Sequence, residues 1–294
     1  MTQGDFHNDS GNSGLKPHAI DPLLPPDMAL KAEQIGAAKA RLDTFSLLAL
    51  AVLAGAFIGL GALFSTVVVT GAGEMPFGVV RLLAGLVFSL GLILVVIGGA
   101  ELFTGNNLMV MAAAAREITW VEMLRAWGIV YVGNLIGAVG TAALVYLGGQ
   151  YLMAGGSVGG TALAIAEAKA NLTFTHAFFL GVLCNVLVCL AIWLSYSAHT
   201  VSGKILCIVP PITAFVAAGF EHSIANMYFF AIALMIRCGE SSGFWDSIGW
   251  TPYDYASVDL TSAFMNLLPV TLGNMVGGGL LVGGVYWFVY LRRR

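Results

Sequence analysis

The sequence predicts an all-α membrane protein with six transmembrane helices arranged as two inverted three-helix repeats. Of its 294 residues, 58% are hydrophobic and 10% are charged, whereas average soluble domains carry about 25% charged residues. Continuous apolar stretches approach or exceed the ~20 residues that a helix needs to cross a bilayer, and they lack the alternation of barrel strands. The predicted spans cover residues 45–70, 82–115, 124–151, 174–196, 205–236 and 260–291.

The positive charges give these spans an orientation. With a cytoplasmic N-terminus and six spans, only Arg81, Lys169 and Arg237 of the 13 Lys and Arg residues fall outside. Positive residues concentrate in cytoplasmic loops. We therefore expect a multi-pass protein of the inner, cytoplasmic membrane, in contact with membrane lipid and with both termini in the cytoplasm.

The N-terminal segment divides into two parts. Residues 1–20 are polar and rich in Gly and Ser, a composition typical of a disordered tail. Residues 21–43 predict a helix at the cytoplasmic face of the membrane, with a movable lid as the alternative. A six-span domain follows at 44–294, with the first repeat at about 44–151 and the second at about 174–291.

Two of the six spans contain polar interruptions. The second span has 34 residues around Glu101, about 50 Å of helix, which is too long for one straight crossing. The fifth span is interrupted by Glu221 and His222. Ionisable groups inside a membrane usually face a cavity or pathway, and irregular backbone is tolerated only there or within protein. The sequence therefore predicts that both helices are broken at mid-membrane.

The two interruptions match each other. GAELFTGN at 99–106 and GFEHSIAN at 219–226 both fit G-x-E-x4-N, and GNLIG at 133–137 and GNMVG at 273–277 both fit G-N-x-x-G. An odd number of spans per repeat inverts the second repeat, and inverted repeats with paired broken helices are typical of transporters and channels. Helix N-termini at such breaks offer free N–H donors that suit a small anion. His222 occupies the position of Leu102 in the other break.

Several segments resemble the formate–nitrite transporter family, closest to its formate-channel branch. They are GGAELFTGNNL, YVGNLIGA, CNVLVCLAIWLSYSA, GFEHSIANM, NLLPVTLGNMVGGGL and, before the first span, LLPPDMA, so that the likeness covers about residues 21–291. The resemblance implies an aquaporin-like protomer with its own pore, assembled as a homopentamer, that passes formate and related small monovalent anions. Nitrite or hydrosulfide as the transported anion is the alternative. An aquaporin itself is disfavoured because neither break contains Asn-Pro-Ala.

The resemblance also implies roles for single residues. His222 matches the central histidine of the pore, and Thr104 matches a threonine that can approach it. A protonated imidazole would stabilise an anion in an apolar passage, or would hand it a proton so that it crosses as the neutral acid. Residues that match the narrow parts of the pore are Phe88, Leu92, Phe103, Val188 and Phe215. Lys169 matches a vestibule lysine that draws anions inward, and Asn185 and Asn274 match asparagines with polar contacts near the centre.

The sequence leaves open the roles of two pairs of polar residues in and beside the breaks. Glu101 and Glu221 either accept hydrogen bonds from backbone N–H groups exposed by the breaks or influence the protonation of His222. Asn106 and Asn107 stand where formate channels have a run of hydroxyl residues, and the pattern assigns them no role.

Other classes of function fit less well. The sequence has no basic patch, zinc-finger spacing or P-loop, so we expect no nucleic-acid partner, no cofactor and no bound metal. The four cysteines lack disulfide spacing and are interpreted as packing residues. An intramembrane enzyme needs a nucleophile–base pair or a metal cluster at depth, and a membrane scaffold would leave two matched polar breaks unexplained. We therefore expect a transport protein and not an enzyme.

Overall fold

A computed structural model describes residues 21–293, and the predicted tail at 1–20 lies outside the described residues. The α-helices are α1 (Pro25–Ala40), α2 (Thr44–Val69), α3 (Phe77–Gly98), α4 (Phe103–Asn106), α5 (Val110–Ala114), α6 (Trp120–Leu147), α7 (Ser157–Ala170), α8 (Phe174–Ser197), α9 (Val201–Ala217), α10 (Ser223–Gly239), α11 (Ser242–Ile248), α12 (Leu260–Asn274) and α13 (Val285–Tyr290). Two 3-10 turns lie at Asn107–Met109 and Gln150–Leu152, and a π-helical segment at Met275–Gly284 joins α12 to α13.

The helix lengths agree with a multi-pass membrane protein. Within residues 21–293, five helical stretches are long and apolar enough to cross a membrane, namely α2, α3, α6, α8 and the continuous stretch Leu260–Tyr290. The predicted fifth span consists of α9 and α10, two apolar helices of 17 residues each. A helix of that length measures about 25 Å and does not cross the ~30 Å hydrocarbon core alone.

The two interrupted spans are divided differently. The second break, between α9 and α10, lies halfway along its span. The first break follows the 22 residues of α3 and precedes three short pieces of four, three and five residues that end at Ala114. It therefore lies closer to one end of its span, which begins at Phe77 and not at the predicted residue 82. The location of both breaks at mid-membrane stays a prediction.

Glycines with left-handed backbone end the helix before each break. Gly99 caps α3 with a φ of 78°, and Gly219 follows α9 with a φ of 75°. A residue with a Cβ is strained in this conformation, whereas glycine adopts it freely. The chain therefore turns away from the helix axis at equivalent positions of the two G-x-E-x4-N motifs.

The G-N-x-x-G motifs mark the closest helix contacts of each repeat. A Cβ atom at Gly137 would lie 2.0 Å from the carbonyl oxygen of Val52, and one at Gly277 would lie 2.2 Å from that of Val182. Only glycine lets the two backbones approach so closely. In this way α6 packs on α2, and the end of the α12 span packs on α8, so that each asparagine of the motif reaches the break of its own repeat.

A shorter helix accompanies each repeat. The helix predicted within residues 21–43 is α1, and it packs on the piece after the first break, where Gly36 lies against Ala112 and Met109. In the second repeat α7 packs on α10. The side chain of Asp43 caps the helix that follows α1, and the side chain of Thr173 caps the helix that follows α7, so that the two short helices precede equivalent turns of the chain.

Candidate functional site

The first break is held by an asparagine from α6. The N–H of Glu101 donates to the carbonyl of Leu50 at 3.1 Å, and the N–H of Phe103 donates to Oδ1 of Asn134 at 2.9 Å. Nδ2 of Asn134 donates to the carbonyls of Ala51 at 2.7 Å and Glu101 at 2.9 Å. One buried amide thus satisfies two backbone groups that the break would otherwise leave without partners, the N–H of Phe103 and the carbonyl of Glu101, and ties them to the carbonyl of Ala51 in α2.

The second break repeats this arrangement. The N–H of Glu221 donates to the carbonyl of Leu180 at 3.3 Å, and the N–H of Ser223 donates to Oδ1 of Asn274 at 3.0 Å. Nδ2 of Asn274 donates to the carbonyls of Gly181 at 2.8 Å and Glu221 at 3.0 Å. Asn274 therefore contacts the backbone of the second break, and its place near the centre of the pore stays a prediction. The equivalent role of Asn134 was missed by sequence reasoning, although its GNLIG motif gave the signal.

The carboxylate of the first break forms a partly buried ion pair with a lysine of α1. Oε2 of Glu101 lies 3.0 Å from Nζ of Lys39 and accepts from Nδ2 of Asn106 at 2.8 Å. Nζ of Lys39 also donates to Oδ1 of Asn106 at 2.8 Å. Glu101 thus binds side chains and not the backbone N–H groups considered above, and Asn106 completes a closed triad with the lysine of α1.

The carboxylate of the second break forms the corresponding pair with α7. Nζ of Lys169 donates to Oε1 of Glu221 at 2.8 Å, and Nδ2 of Asn226 donates to Oε2 at 2.6 Å. Nδ2 of Asn226 also donates to Oδ1 of Asn266 at 2.8 Å, and Asn266 in turn donates to the carbonyl of Lys169 at 3.0 Å. The predicted vestibule lysine is therefore tied to the glutamate of the break.

Asn185 connects the first break to α12. Its Nδ2 lies 2.8 Å from Oδ1 of Asn107, 2.7 Å from the carbonyl of Asn274 and 3.2 Å from the carbonyl of Thr104. Nδ2 of Asn107 donates to the carbonyl of Phe103 at 3.2 Å. Asn107, to which the sequence assigned no role, thus fixes the turn that carries Thr104.

His222 and Thr104 meet where the two breaks face each other. Nε2 of His222 lies 3.0 Å from Oγ1 of Thr104, and Nδ1 accepts the N–H of Ala225 at 3.1 Å. Because Nδ1 acts as an acceptor, the ring proton belongs on Nε2, which donates to the threonine. The geometry therefore fits a neutral imidazole, because protonation at Nδ1 would remove the cap on the first turn of α10.

Aromatic rings border the histidine on one side. The ring of Phe215 stacks on that of His222 with centroids 5.9 Å apart, and Phe88 meets Phe215 edge to face at 5.6 Å. Leu92, one turn after Phe88, and Val188 of α8 are buried in the same core. The ring of Phe103 packs edge to face on Trp127 and Tyr131 of α6, and its role as a constriction stays a prediction.

A cavity of about 430 Å³ leads to this centre from the side of Lys169. Five of the twelve predicted site residues line it, namely Phe88, Lys169, Phe215, Glu221 and His222, and the other seven do not. The lining also includes Arg81 and Asn226, which sequence reasoning did not place in the site. The imidazole of His222 forms what is called the floor of the cavity below. The charged side chains that line the cavity, called its rim, are those of Arg81, Lys169 and Glu221.

Lys39 was also missed, although a signal for it exists. It stands four residues before Asp43, the residue that caps α2, just as Lys169 stands four residues before Thr173, the residue that caps α8. Comparison of the helix preceding each repeat, and not only of the spans, would have paired the two lysines.

Removal of Lys39 is expected to leave Glu101 as an unpaired buried charge. The side chains of Lys39 and Glu101 are 26% and 7% exposed, and breaking a buried pair by removing one partner costs about 3–5 kcal/mol. We expect Lys39→Met to lower the free energy of unfolding by about 3 kcal/mol, and Lys39→Met/Glu101→Gln to recover part of that loss. Unfolding of the detergent-purified protein, followed by tryptophan fluorescence, measures both.

The matched control for this cycle is Lys204→Met, since Lys204 forms no ion pair with a carboxylate in the described chain. Equal stability losses in Lys39→Met and in the double variant would show that the charge pair does not couple the two residues.

The chain is similar to known transport proteins over most of its length. The family described as "Formate/nitrite transporter" matches residues 26–288. The chain is 44% identical over 274 residues to "Formate channel FocA" of Escherichia coli K12, covering 93% of this chain and 96% of that protein. It is 41% identical over 275 residues to "Formate channel FocA" of Haemophilus influenzae, covering 93% and 96%.

Solved structures give the same result. A "Pentameric formate channel with formate bound" matches with a TM-score of 0.81 at 44% identity, covering 85% of this chain and 98% of that one. An "FNT family ion channel" matches with a TM-score of 0.77 at 32% identity, covering 90% and 98%. On the family match, the identities and the shared fold, this chain belongs to the formate/nitrite transporter family.

Proposed function

We propose that the protein conducts formate and related small monovalent anions across the cell membrane, as a homopentamer in which every protomer has its own pore. The observation that carries this proposal is the His222–Thr104 hydrogen bond at the floor of a cavity with a charged rim. The names of the relatives, which are formate channels in two bacteria and a pentameric channel that holds formate, support the choice of solute and assembly.

The charges near the centre favour a neutral form of the solute. Glu101 and Glu221 are each paired with a lysine, and the hydrogen bonds of His222 fit a neutral ring. An isolated anion in an apolar passage carries a large desolvation penalty. In the narrow passage next to His222, the paired lysines of the described chain leave no free positive charge to offset that penalty. We propose that formate takes up a proton from the water of the vestibule and crosses the narrow region as formic acid.

The two side chains at the centre match the polar groups of such an acid. The Nε2–H of His222 would donate to the carbonyl oxygen of formic acid, and Oγ1 of Thr104 would accept its hydroxyl proton. The solute thereby replaces the hydrogen bond that the two residues make with each other. Apolar residues proposed to narrow the path on either side are Phe88, Leu92, Phe103, Val188 and Phe215.

Orientation and localisation belong to the same proposal. We propose an inner-membrane location with both termini in the cytoplasm, which puts the Lys169 cavity on the outer side. Because the relatives are named as channels, transport without catalysis is proposed. An intramembrane enzyme would instead reveal itself by turnover, and a scaffold by the absence of solute flux.

Comparative flux tests this function and its alternatives. Proteoliposomes should take up formate faster than protein-free liposomes, and acetate and lactate should be slower because the narrow path has to accommodate their additional carbon atoms. Nitrite and hydrosulfide share the charge and small size of formate, so their relative rates identify the preferred anion. Absence of formate flux above the protein-free control would refute the proposal.

A further inference from the structure

The two lysine–glutamate pairs differ in what surrounds them. Lys39 donates to both Glu101 and Asn106, so the first pair is closed. Lys169 donates to Glu221, whereas Oδ1 of the equivalent Asn226 is buried without a partner among the described residues. Asn226 also lines the cavity. One polar atom of the second break is therefore left without a hydrogen bond among the described residues.

Arg81 adds a fixed positive charge to the same cavity. Its Nε donates to the carbonyl of Ala217 at 3.1 Å, and its Nη2 donates to the carbonyl of Val216. These contacts place the guanidinium at the C-terminal end of α9, where cations are favoured. Nη1, with two N–H donors, makes no hydrogen bond within residues 21–293, and Arg81 lines the cavity together with Lys169.

The cavity lining therefore has an excess of positive charge. Glu221 is the carboxylate of that lining and is paired with Lys169, while Arg81 forms no ion pair with a described carboxylate. Two positive side chains thus share one carboxylate, which leaves the lining with one positive charge in excess. Guanidinium groups bind planar oxyanions through two parallel N–H donors.

We propose that Arg81 is the anion-capturing residue of the vestibule, binding a small monovalent oxyanion such as formate through the free edge of its guanidinium. This inference rests on the proposed function and adds a specificity-determining residue to it. Captured anions are concentrated at the rim, where a proton joins them before they pass His222. Attraction of this kind acts on association, so it lowers the half-saturating concentration and weakens with ionic strength.

Formate uptake at low and high ionic strength tests the role of Arg81. At low salt, Arg81→Gln should raise the half-saturating formate concentration about tenfold with little change in maximal rate. Arg81→Lys should fall between Arg81→Gln and the wild type, because lysine keeps the positive charge but loses the two parallel N–H donors. The difference should shrink at high salt. Arg237→Gln is the matched control, because Arg237 also donates to carbonyls, those of Pro252 and Val258, and does not line the cavity.

A second substitution leaves the carbonyl contacts of Arg81 intact. Phe77 lines the cavity one helical turn before Arg81 and is 80% exposed. Phe77→Glu should raise the half-saturating concentration at low salt, and Phe77→Gln should not, because only the former opposes the charge of Arg81. This pair of variants tests whether the charge of Arg81 attracts the anion, even where Arg81→Gln fails to assemble.

Three results would overturn the inference. They are an unchanged half-saturating concentration in Arg81→Gln, equal losses in Arg81→Gln and Arg81→Lys, and equal behaviour of Phe77→Glu and Phe77→Gln. The second would mean that the guanidinium serves only to hold the end of α9. A wild-type protein without formate flux would refute the proposed function itself, and the inference with it.

Discussion

Replacement of Asn274 by leucine is expected to destabilise the folded protein by about 3 kcal/mol or more. The substitution keeps the size of the side chain but removes the partners of the Ser223 N–H and of the Glu221 carbonyl at the break, together with the hydrogen bond to the Gly181 carbonyl in α8. Each buried polar group left without a hydrogen bond costs about 1–3 kcal/mol. Unfolding of the purified protein in detergent by heat or denaturant measures the loss.

The equivalent substitution in the first break, Asn134→Leu, gives a second test of this prediction. Asn134→Leu removes the equivalent three contacts in the first break and should cost a similar amount. Asn171→Leu, the same substitution at an exposed position, should leave stability nearly unchanged. Wild-type stability in Asn274→Leu, or a large loss in only one of the two buried variants, would contradict an equivalent structural role of the two asparagines.

Replacement of His222 by phenylalanine is expected to reduce formate flux by roughly tenfold or more, since a lost hydrogen bond to the solute corresponds to about 1.4 kcal/mol. Phenylalanine is similar in shape and preserves a ring beside Phe215, but it removes the Nε2–H that meets Thr104. Thr104→Val, which deletes the hydroxyl and keeps the branched shape, should reduce flux in the same direction. Uptake into proteoliposomes at several pH values measures both.

His176→Phe is the matched control for this variant, because His176 is an exposed histidine in the first turn of α8. Its flux should equal that of the wild type. Formate permeability that is unchanged in His222→Phe at every pH would remove His222 from the proposed pathway.

Much of the fold was predictable because local physics determines it. The length of the apolar stretches predicts the spans. The glycines ahead of Glu101 and Glu221 predict the breaks, since only glycine readily adopts the left-handed turn observed there. The lone imidazole at His222 was recognisable because ionisable groups in apolar spans are rare. These signals each lie within a few residues of sequence.

The partners of these groups were harder to predict because they are distant in the chain. Lys39 lies 67 residues from Asn106, and Asn134 lies 33 residues from Glu101. No local periodicity links such positions, and only the packing of α1 and α6 on the pieces of the first break brings them together. The same limit explains why Asn107 had no assigned role, since its partner Asn185 lies 78 residues away.

Arg81 explains the error at the start of α3. The predicted span began at residue 82 because Arg81 before it is charged, but the guanidinium of Arg81 donates to carbonyls at the end of α9. This contact satisfies the charge without ending the helix, which therefore continues back to Phe77. A charged residue that marks the boundary of a predicted span can thus line a cavity in the folded protein.

Simultaneous records of formate uptake and internal pH test the central claim, that formate crosses together with a proton. Proteoliposomes with a trapped pH indicator should acidify as formate enters, at a rate that is independent of an imposed membrane potential. Uptake should increase about tenfold for each unit by which external pH falls, as the fraction of neutral acid does. Formate uptake that follows the membrane potential and leaves internal pH unchanged would contradict the claim, because the anion would then cross with its charge.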